Sequence, residues 1–254
     1  MKLSVLASGS KGNSTYIETK ENRILVDLGT SSLYVEKKLK KIGIDPHTIN
    51  SIFLTHTHID HISGLKVFLK KYQPTIFLTR KMYEELVTTI DIPNYYLIEE
   101  DTVFNDLTIH VFKTSHDVSD SNGYIFESDG KSIVYITDTG YINRKHFDKL
   151  KNKNYYVMES NHDIELLMNG KYPYHLKQRI LGDRGHLSNK DCAKYLSSFI
   201  GEQTEGIILI HLSHENNREE VALQTLEETL ERNNQHIDHI IISKQDENTE
   251  LVEV

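Results

Sequence analysis

Short apolar runs rich in Ile, Val, Leu and Tyr recur along the chain, and most are too brief to be helices. They predict strands at residues 2–7, 15–18, 23–27, 51–55, 75–78, 107–112, 124–127, 132–137, 155–158, 206–210 and 239–242. Between these runs the period lengthens. Leu65, Phe68, Leu69 and Tyr72 fall at i, i+3, i+4 and i+7, one face of a helix, and Cys192, Tyr195, Leu196 and Phe199 repeat the pattern. Ser188, with Asp191 three residues on, is a capping-box-like start for the second of these. From Glu215 the chain reads as a further helix with Val221, Leu226 and Leu230 turned inward, followed by an edge strand. The alternation makes this an α/β chain layered as an αββα sandwich. No linker, repeat or low-complexity stretch divides its 254 residues, so it reads as a single domain over 1–254.

That length buries a full core without covalent help. Cys192 is the lone cysteine, which excludes an intramolecular disulfide, and its place in an apolar stripe reads as a small core residue. The N-terminus opens as a strand and not as a signal peptide, and no run is long enough to span a bilayer. The expected location is therefore cytoplasmic, away from membranes. A net charge of −8 would argue against nucleic-acid binding if it were evenly spread. It is not: residues 215–254 hold 11 acidic and 3 basic side chains, which leaves 26 of each sign in residues 1–214. The part carrying the candidate chemistry is neutral, and Lys171, Lys177, Arg179 and Arg184 give it one locally basic stretch opposed only by Asp183.

Directly behind Ile52-Phe53-Leu54, the run Thr55-His56-Thr57-His58-Ile59-Asp60-His61 crowds together four candidate metal ligands. Histidines two apart on extended chain point the same way, so His56 and His58 suit one ion, while Asp60 and His61, past the turn, face a second. Imidazole and carboxylate without thiolate favour zinc, with manganese or iron next. Without a metal, so many clustered imidazoles would leave several buried nitrogens unpaired. The scattered His47, His110, His146, His175, His236 and His239 carry no such implication and read as ordinary residues. Two ions need more ligands, and isolated His and Asp residues do follow later strands, in Ser115-His116-Asp117, Asp138-Thr139-Gly140, Gly185-His186-Leu187-Ser188 and His211-Leu212-Ser213-His214. His211 and His214 are close enough for either to serve. Ser8-Gly9-Ser10-Lys11-Gly12-Asn13-Ser14 reads as a tight connection whose Ser10 and Asn13 would bring donors near an anion, but it opens no helix, which weakens a phosphate-loop reading. Asp27, between Ile24-Leu25-Val26 and Leu28, is a carboxylate in a buried setting and is expected to accept from a ligand histidine or its loop.

In order and spacing these residues resemble the metallo-β-lactamase superfamily, whose fingerprint is His-x-His-x-Asp-His, then a distant His, a distant Asp and a last His, each after a strand. The resemblance covers nearly the whole chain. It implies the metallo-β-lactamase fold and two divalent ions, zinc or manganese, with His56, His58 and His116 on the first, Asp60, His61 and His211 on the second, and Asp138 bridging. Within the superfamily, Ser8-Gly9-Ser10, Gly12-Asn13-Ser14, Ser115-His116-Asp117, Glu159-Ser160-Asn161-His162-Asp163, Gly185-His186-Leu187-Ser188-Asn189 and Leu212-Ser213-His214-Glu215-Asn216-Asn217 look like the YycJ group, also called WalJ or VicX. That group is encoded beside a cell-wall two-component system and is associated with DNA exonuclease activity.

The resemblance thus implies a dimetal phosphodiesterase, a 5′-to-3′ DNA exonuclease in which hydroxide held between the ions attacks phosphorus. Asp60 and Asp138 would hold the ions, and His186 would contact the phosphate or protonate the departing oxygen. Glu159 would orient His186 or serve its strand end; His162 and His214 would face substrate, support the ligands or be plain surface residues. The alternative is a small-molecule hydrolase of a thioester, lactone or cyclic phosphodiester on the same ions. A non-catalytic partner of the signalling system fits the intact ligand set least. His186 favours the nuclease, and His58 speaks against diiron oxidoreductases, which commonly carry glutamate there. The chain has no room for the clamp domain of ribonuclease J and shows no ribonuclease Z arm. The family also implies self-association into a homo-oligomer.

Overall fold

The computed structural model describes residues 1–254 and contains fourteen strands and nine α-helices. The strands are β1 (Lys2–Ala7), β2 (Ser14–Glu18), β3 (Arg23–Val26), β4 (Ser51–Phe53), β5 (Thr75–Leu78), β6 (Tyr95–Leu97), β7 (Thr102–Phe104), β8 (Leu107–Lys113), β9 (Asn122–Ser128), β10 (Lys131–Ile136), β11 (Tyr155–Glu159), β12 (Gly206–Ile210), β13 (His239–Ile242) and β14 (Val252–Glu253). The helices are α1 (Ser32–Lys41), α2 (Ile59–Ile62), α3 (Leu65–Tyr72), α4 (Arg80–Leu86), α5 (Phe147–Leu150), α6 (Ile164–Asn169), α7 (Tyr174–Leu181), α8 (Asn189–Phe199) and α9 (Glu219–Arg232).

Two seven-stranded sheets result, ordered β14-β1-β2-β3-β4-β5-β6 and β13-β12-β11-β10-β9-β8-β7. Each is antiparallel toward one edge and parallel toward the other, β3 to β6 in the first and β10 to β13 in the second. Side-chain alternation then divides the apolar residues among three layers. Ile24, Val26, Phe53 and Phe77 meet Ile109, Phe126, Tyr135 and Val157 between the sheets, with Phe53 stacked on Phe77 at 4.3 Å. Leu25, Ile52 and Ile76 face outward onto α1, α3 and α4, while Val134, Met158 and Leu209 face outward onto α8 and α9. The expected αββα layering is present, and Cys192 is buried in the outer layer. No helix is long and apolar enough to cross a membrane.

All the predicted strands form, but three end early. Residues 23–27, 51–55 and 132–137 leave their ladders at Val26, Phe53 and Ile136 as the chain turns toward the site. β6, β7 and β14 carry no clear alternation and are not predicted by the pattern, nor are α1, α2 and α4 to α7. On α9 the inward residue is Ala222, not Val221, which stays part-exposed beside the buried Leu226 and Leu230.

Candidate dimetal active site

Six candidate side chains leave the same rim, where parallel strands of both sheets end. Asp27 follows β3, His56 and His58 follow β4, Asp138 follows β10, Glu159 ends β11 and His211 follows β12. Three of these turns place a non-glycine residue in the left-handed region, Asp27 at φ 60°, Asp138 at 46° and His211 at 57°. L-residues avoid that backbone, and its concentration at one rim marks a frame held by its surroundings. Gly29 shows how tightly: a Cβ there would stand 1.6 Å from the Asp60 carbonyl oxygen. The Ser8–Asn13 connection is sewn into the same frame. Asn13 donates its backbone N–H to the Asp60 carbonyl (2.8 Å) and lies with Nδ2 3.0 Å from His61 Nε2, and Ser8 Oγ accepts the backbone N–H of His211 (2.7 Å).

The side chains gather into four sets whose ligand atoms lie within 4.8 Å of one another: His56, His58 and His116; Asp60, His61 and His211; His56, His61 and Asp138, joining those two; and Asp138, Glu159, His186 and His211. Asp138 therefore stands between the sets, with Oδ2 2.8 Å from His61 Nε2. Two observations fit divalent cations here. His56 Nε2 and His211 Nε2 are buried without a hydrogen-bond partner. In addition, Asp27, Asp60, Asp138 and Glu159 converge with histidines as their only ion-pair partners, so the cluster lacks compensating Lys or Arg.

Outer contacts fix how the imidazoles face. His61 Nδ1 donates to Asp27 Oδ2 (2.7 Å). Thr55 gives its hydroxyl proton to the same oxygen (2.7 Å), leaving Thr55 Oγ1 to accept from His56 Nδ1 (3.0 Å). His116 Nδ1 donates to the Gly185 carbonyl (3.2 Å) and His211 Nδ1 to Glu159 (2.9 Å). Four histidines thus spend Nδ1 on an outer acceptor and turn Nε2 inward, the arrangement that prepares imidazole for a metal. Burial holds His56 and His116 below the ordinary imidazole value, keeping both neutral near pH 7. Around His61 burial works the same way, but Asp27 and Asp138 outweigh it and lift it to about 10.

Asp27 reaches two histidines, one directly and one through Thr55. Asp27→Asn is expected to weaken metal affinity about 10- to 100-fold, read by competition with a chromophoric chelator. Unchanged affinity would remove this role.

His186 and Glu159 form a second device. Glu159 is fully buried and accepts from His186 Nδ1 (2.6 Å), His211 Nδ1 (2.9 Å) and the Thr139 backbone N–H (3.0 Å). Glu159 thus contacts His186 and the loop that follows β10 alike. His186 lines a cleft of about 320 Å³ together with Ser10, Asp60, Asp117, Arg179 and Arg184.

Other expected residues lie apart. His214 points to solvent, its side chain 79% exposed, and it is His211 that joins the cluster. His162 is neither substrate-facing nor a surface residue: it is buried at 1%, and both ring nitrogens lack partners. Burial draws His162 down to about 4. Between that value and the ordinary 6.5 the unfolded chain takes up a proton that the native state refuses, so stability falls as pH drops through this window. The full difference is roughly 3 kcal/mol; urea unfolding at pH 7 and 4.5 should show a smaller loss in His162→Gln. Equal losses in both proteins would exclude His162 as the source.

Several contacts at the site go beyond those the sequence predicts. Thr55 carries the link from His56 to Asp27, and only its place beside the motif hinted at it. Asp117 lies with Oδ1 3.4 Å from His116 Nε2 while Arg179 pairs with its other oxygen. Asn161 donates to the His211 carbonyl (3.0 Å), and Arg184 to the carbonyls of His116 (3.1 Å) and Val118 (3.2 Å).

This fold has known counterparts. The chain belongs to the metallo-β-lactamase superfamily, its residues 22–212 matching the β-lactamase superfamily domain. Among curated relatives, exodeoxyribonuclease WalJ of Streptococcus pneumoniae is 39% identical over 232 residues, covering 89% of this chain and 86% of that protein. Exodeoxyribonuclease YycJ of Bacillus anthracis is 36% identical over 236 residues, 91% of this chain and 89% of its own. Of solved structures, the metallo-β-lactamase fold protein YhfI from Bacillus subtilis superposes with a TM-score of 0.72 over 98% of this chain and 99% of that one, at 15% identity, which speaks for the fold alone.

Proposed function

We propose that this protein is a dimetal phosphodiesterase that removes nucleotides from DNA in the 5′-to-3′ direction. One observation carries the reading. Beside the two three-residue ligand sets stands His186, which shares a further cluster with Asp138, Glu159 and His211, is held by Glu159 and lines a cleft with Arg179 and Arg184. Its relatives' names, exodeoxyribonuclease in both cases, supply the substrate class.

His56, His58 and His116 would hold one ion, Asp60, His61 and His211 the other, and Asp138 both; zinc or manganese suits the oxygen and nitrogen donors. Bound there, the ions supply Lewis acidity and a water acidic enough to attack near neutral pH. The protein supplies the rest. Burial alone would lower His186, but the carboxylates of Glu159 and Asp138 outweigh it and raise it to about 9. Because Nδ1 is spent on Glu159, Nε2 is the atom that donates to the departing oxygen. Arg184 braces the His116 loop by its two carbonyl contacts, and Arg179 brings a cation to the cleft. A single domain over 1–254, a cytoplasmic location and self-association belong to the same reading; light scattering tests the last.

The test is end-labelled single- and double-stranded DNA and RNA, incubated with zinc or manganese and with His61→Ala as blank. Stepwise loss from the 5′ end of DNA supports the reading, and metal-loaded protein that cuts no nucleic acid overturns it. DNA cleavage should also weaken steeply with salt, and Arg179→Ala should reduce the slope of log(kcat/KM) against log[salt] by about one. An unchanged slope would show that Arg179 meets no phosphate. Turnover of a neutral ester would barely respond to salt.

A further inference from the structure

Helix α7 buries none of its eight residues, yet it carries an apolar stripe. Leu176 and Ile180 lie four apart, and Tyr172 lies one turn earlier, just before the helix. All three are half-buried, and all three line the cleft that holds His58, Asp60, His116, Asp138 and His186. The stripe therefore faces the reaction centre and not the core. Its position is fixed from two sides. Lys177 Nζ donates to the carbonyls of Met168 (2.6 Å) and Gly170 (2.8 Å), and the backbone N–H of His186 donates to the Ile180 carbonyl (3.0 Å). Gly185 permits that last approach, since a Cβ there would stand 2.1 Å from the Ile180 carbonyl oxygen. One backbone hydrogen bond thus ties the apolar wall directly to the candidate proton donor.

A ligand that fits must be anionic where it meets the ions and Arg179, and flat and apolar one group away, where it meets Tyr172, Leu176 and Ile180. A nucleotide has that shape: a phosphate, and a base with a π-face on which aromatic side chains stack. We propose that Tyr172, Leu176 and Ile180 form a nucleobase subsite that receives the terminal nucleotide of the strand being cut. This rests on the phosphodiesterase reading and adds how the end of the strand is held. The cleft, at about 320 Å³, is on the scale of one nucleotide, and a terminal base seated in this subsite has left its pairing partner.

The test compares DNA ending in a normal nucleotide with DNA whose terminal sugar lacks its base, at equal length and with a 5′-phosphate on both. Wild-type kcat/KM should favour the normal end by about tenfold, the range of one base–aromatic stack. In Tyr172→Ala the preference should fall toward one, and in Tyr172→Phe it should persist; circular dichroism and metal content establish that each variant is folded. The chain has no tryptophan, so Tyr172→Trp also creates a lone fluorophore that deoxyadenosine 5′-monophosphate should quench. If the wild type cuts DNA but shows no preference, or Tyr172→Ala keeps it, the subsite is wrong while the nuclease stands. If folded, metal-loaded wild type cuts no nucleic acid, both readings fall together.

Discussion

His61→Ala is expected to lose at least one metal ion and to cut DNA at least about a thousandfold more slowly, because several kcal/mol of charge stabilisation depends on the paired ions. The effect is large because His61 joins two circuits. Its Nε2 faces Asp138 at 2.8 Å, and its Nδ1 satisfies Asp27, which is fully buried. Removing the imidazole leaves that carboxylate with only the Thr55 hydroxyl and backbone N–H, and a buried charge stripped of its partner costs about 3–5 kcal/mol of stability. Metal analysis, initial rates and urea unfolding on one preparation measure all three consequences. Retention of two ions and of the wild-type rate would overturn the assignment of His61.

The second large effect separates proton donation from metal binding. His186→Ala should lower kcat on DNA by about 10²- to 10⁴-fold, the range for a positioned general acid, while the metal content stays unchanged. A phosphodiester with a p-nitrophenolate leaving group needs no proton on departure, so on that substrate the same variant should lose far less. Equal losses on both substrates would mean that His186 positions the phosphate without protonating the departing oxygen. Glu159→Gln should resemble His186→Ala on DNA but also weaken metal binding, since Glu159 holds His211 as well.

What the sequence made legible follows physical contrast. The strands that cross the buried layers show continuous apolar runs, and they were found. β6 and β7 are three residues each and largely exposed, and β14 is a two-residue pairing with β1, so none carries a period long enough to read. α7 was missed for another reason: its stripe is short, and it serves the cleft instead of the core. The candidate ligands stood out because four of them fall in six residues, whereas Thr55, Asn161 and Arg184 act through backbone groups or through another side chain. Such contacts leave no mark in a one-dimensional pattern. Choosing His211 over His214 also needed three dimensions, because the left-handed turn at His211 directs one imidazole inward and leaves the other in solvent.

The order of the strands has one more consequence. The chain passes from the first sheet to the second at residues 98–101, and afterwards only β14 returns. His56, His58, Asp60 and His61 come before that crossing, and His116, Asp138 and His211 after it. Neither half holds all of His56, His58 and His116, or all of Asp60, His61 and His211, and the exposed Glu99-Glu100-Asp101 turn is the natural place to divide them. Any activity regained on mixing two separately expressed pieces would therefore measure the docking of one sheet on the other.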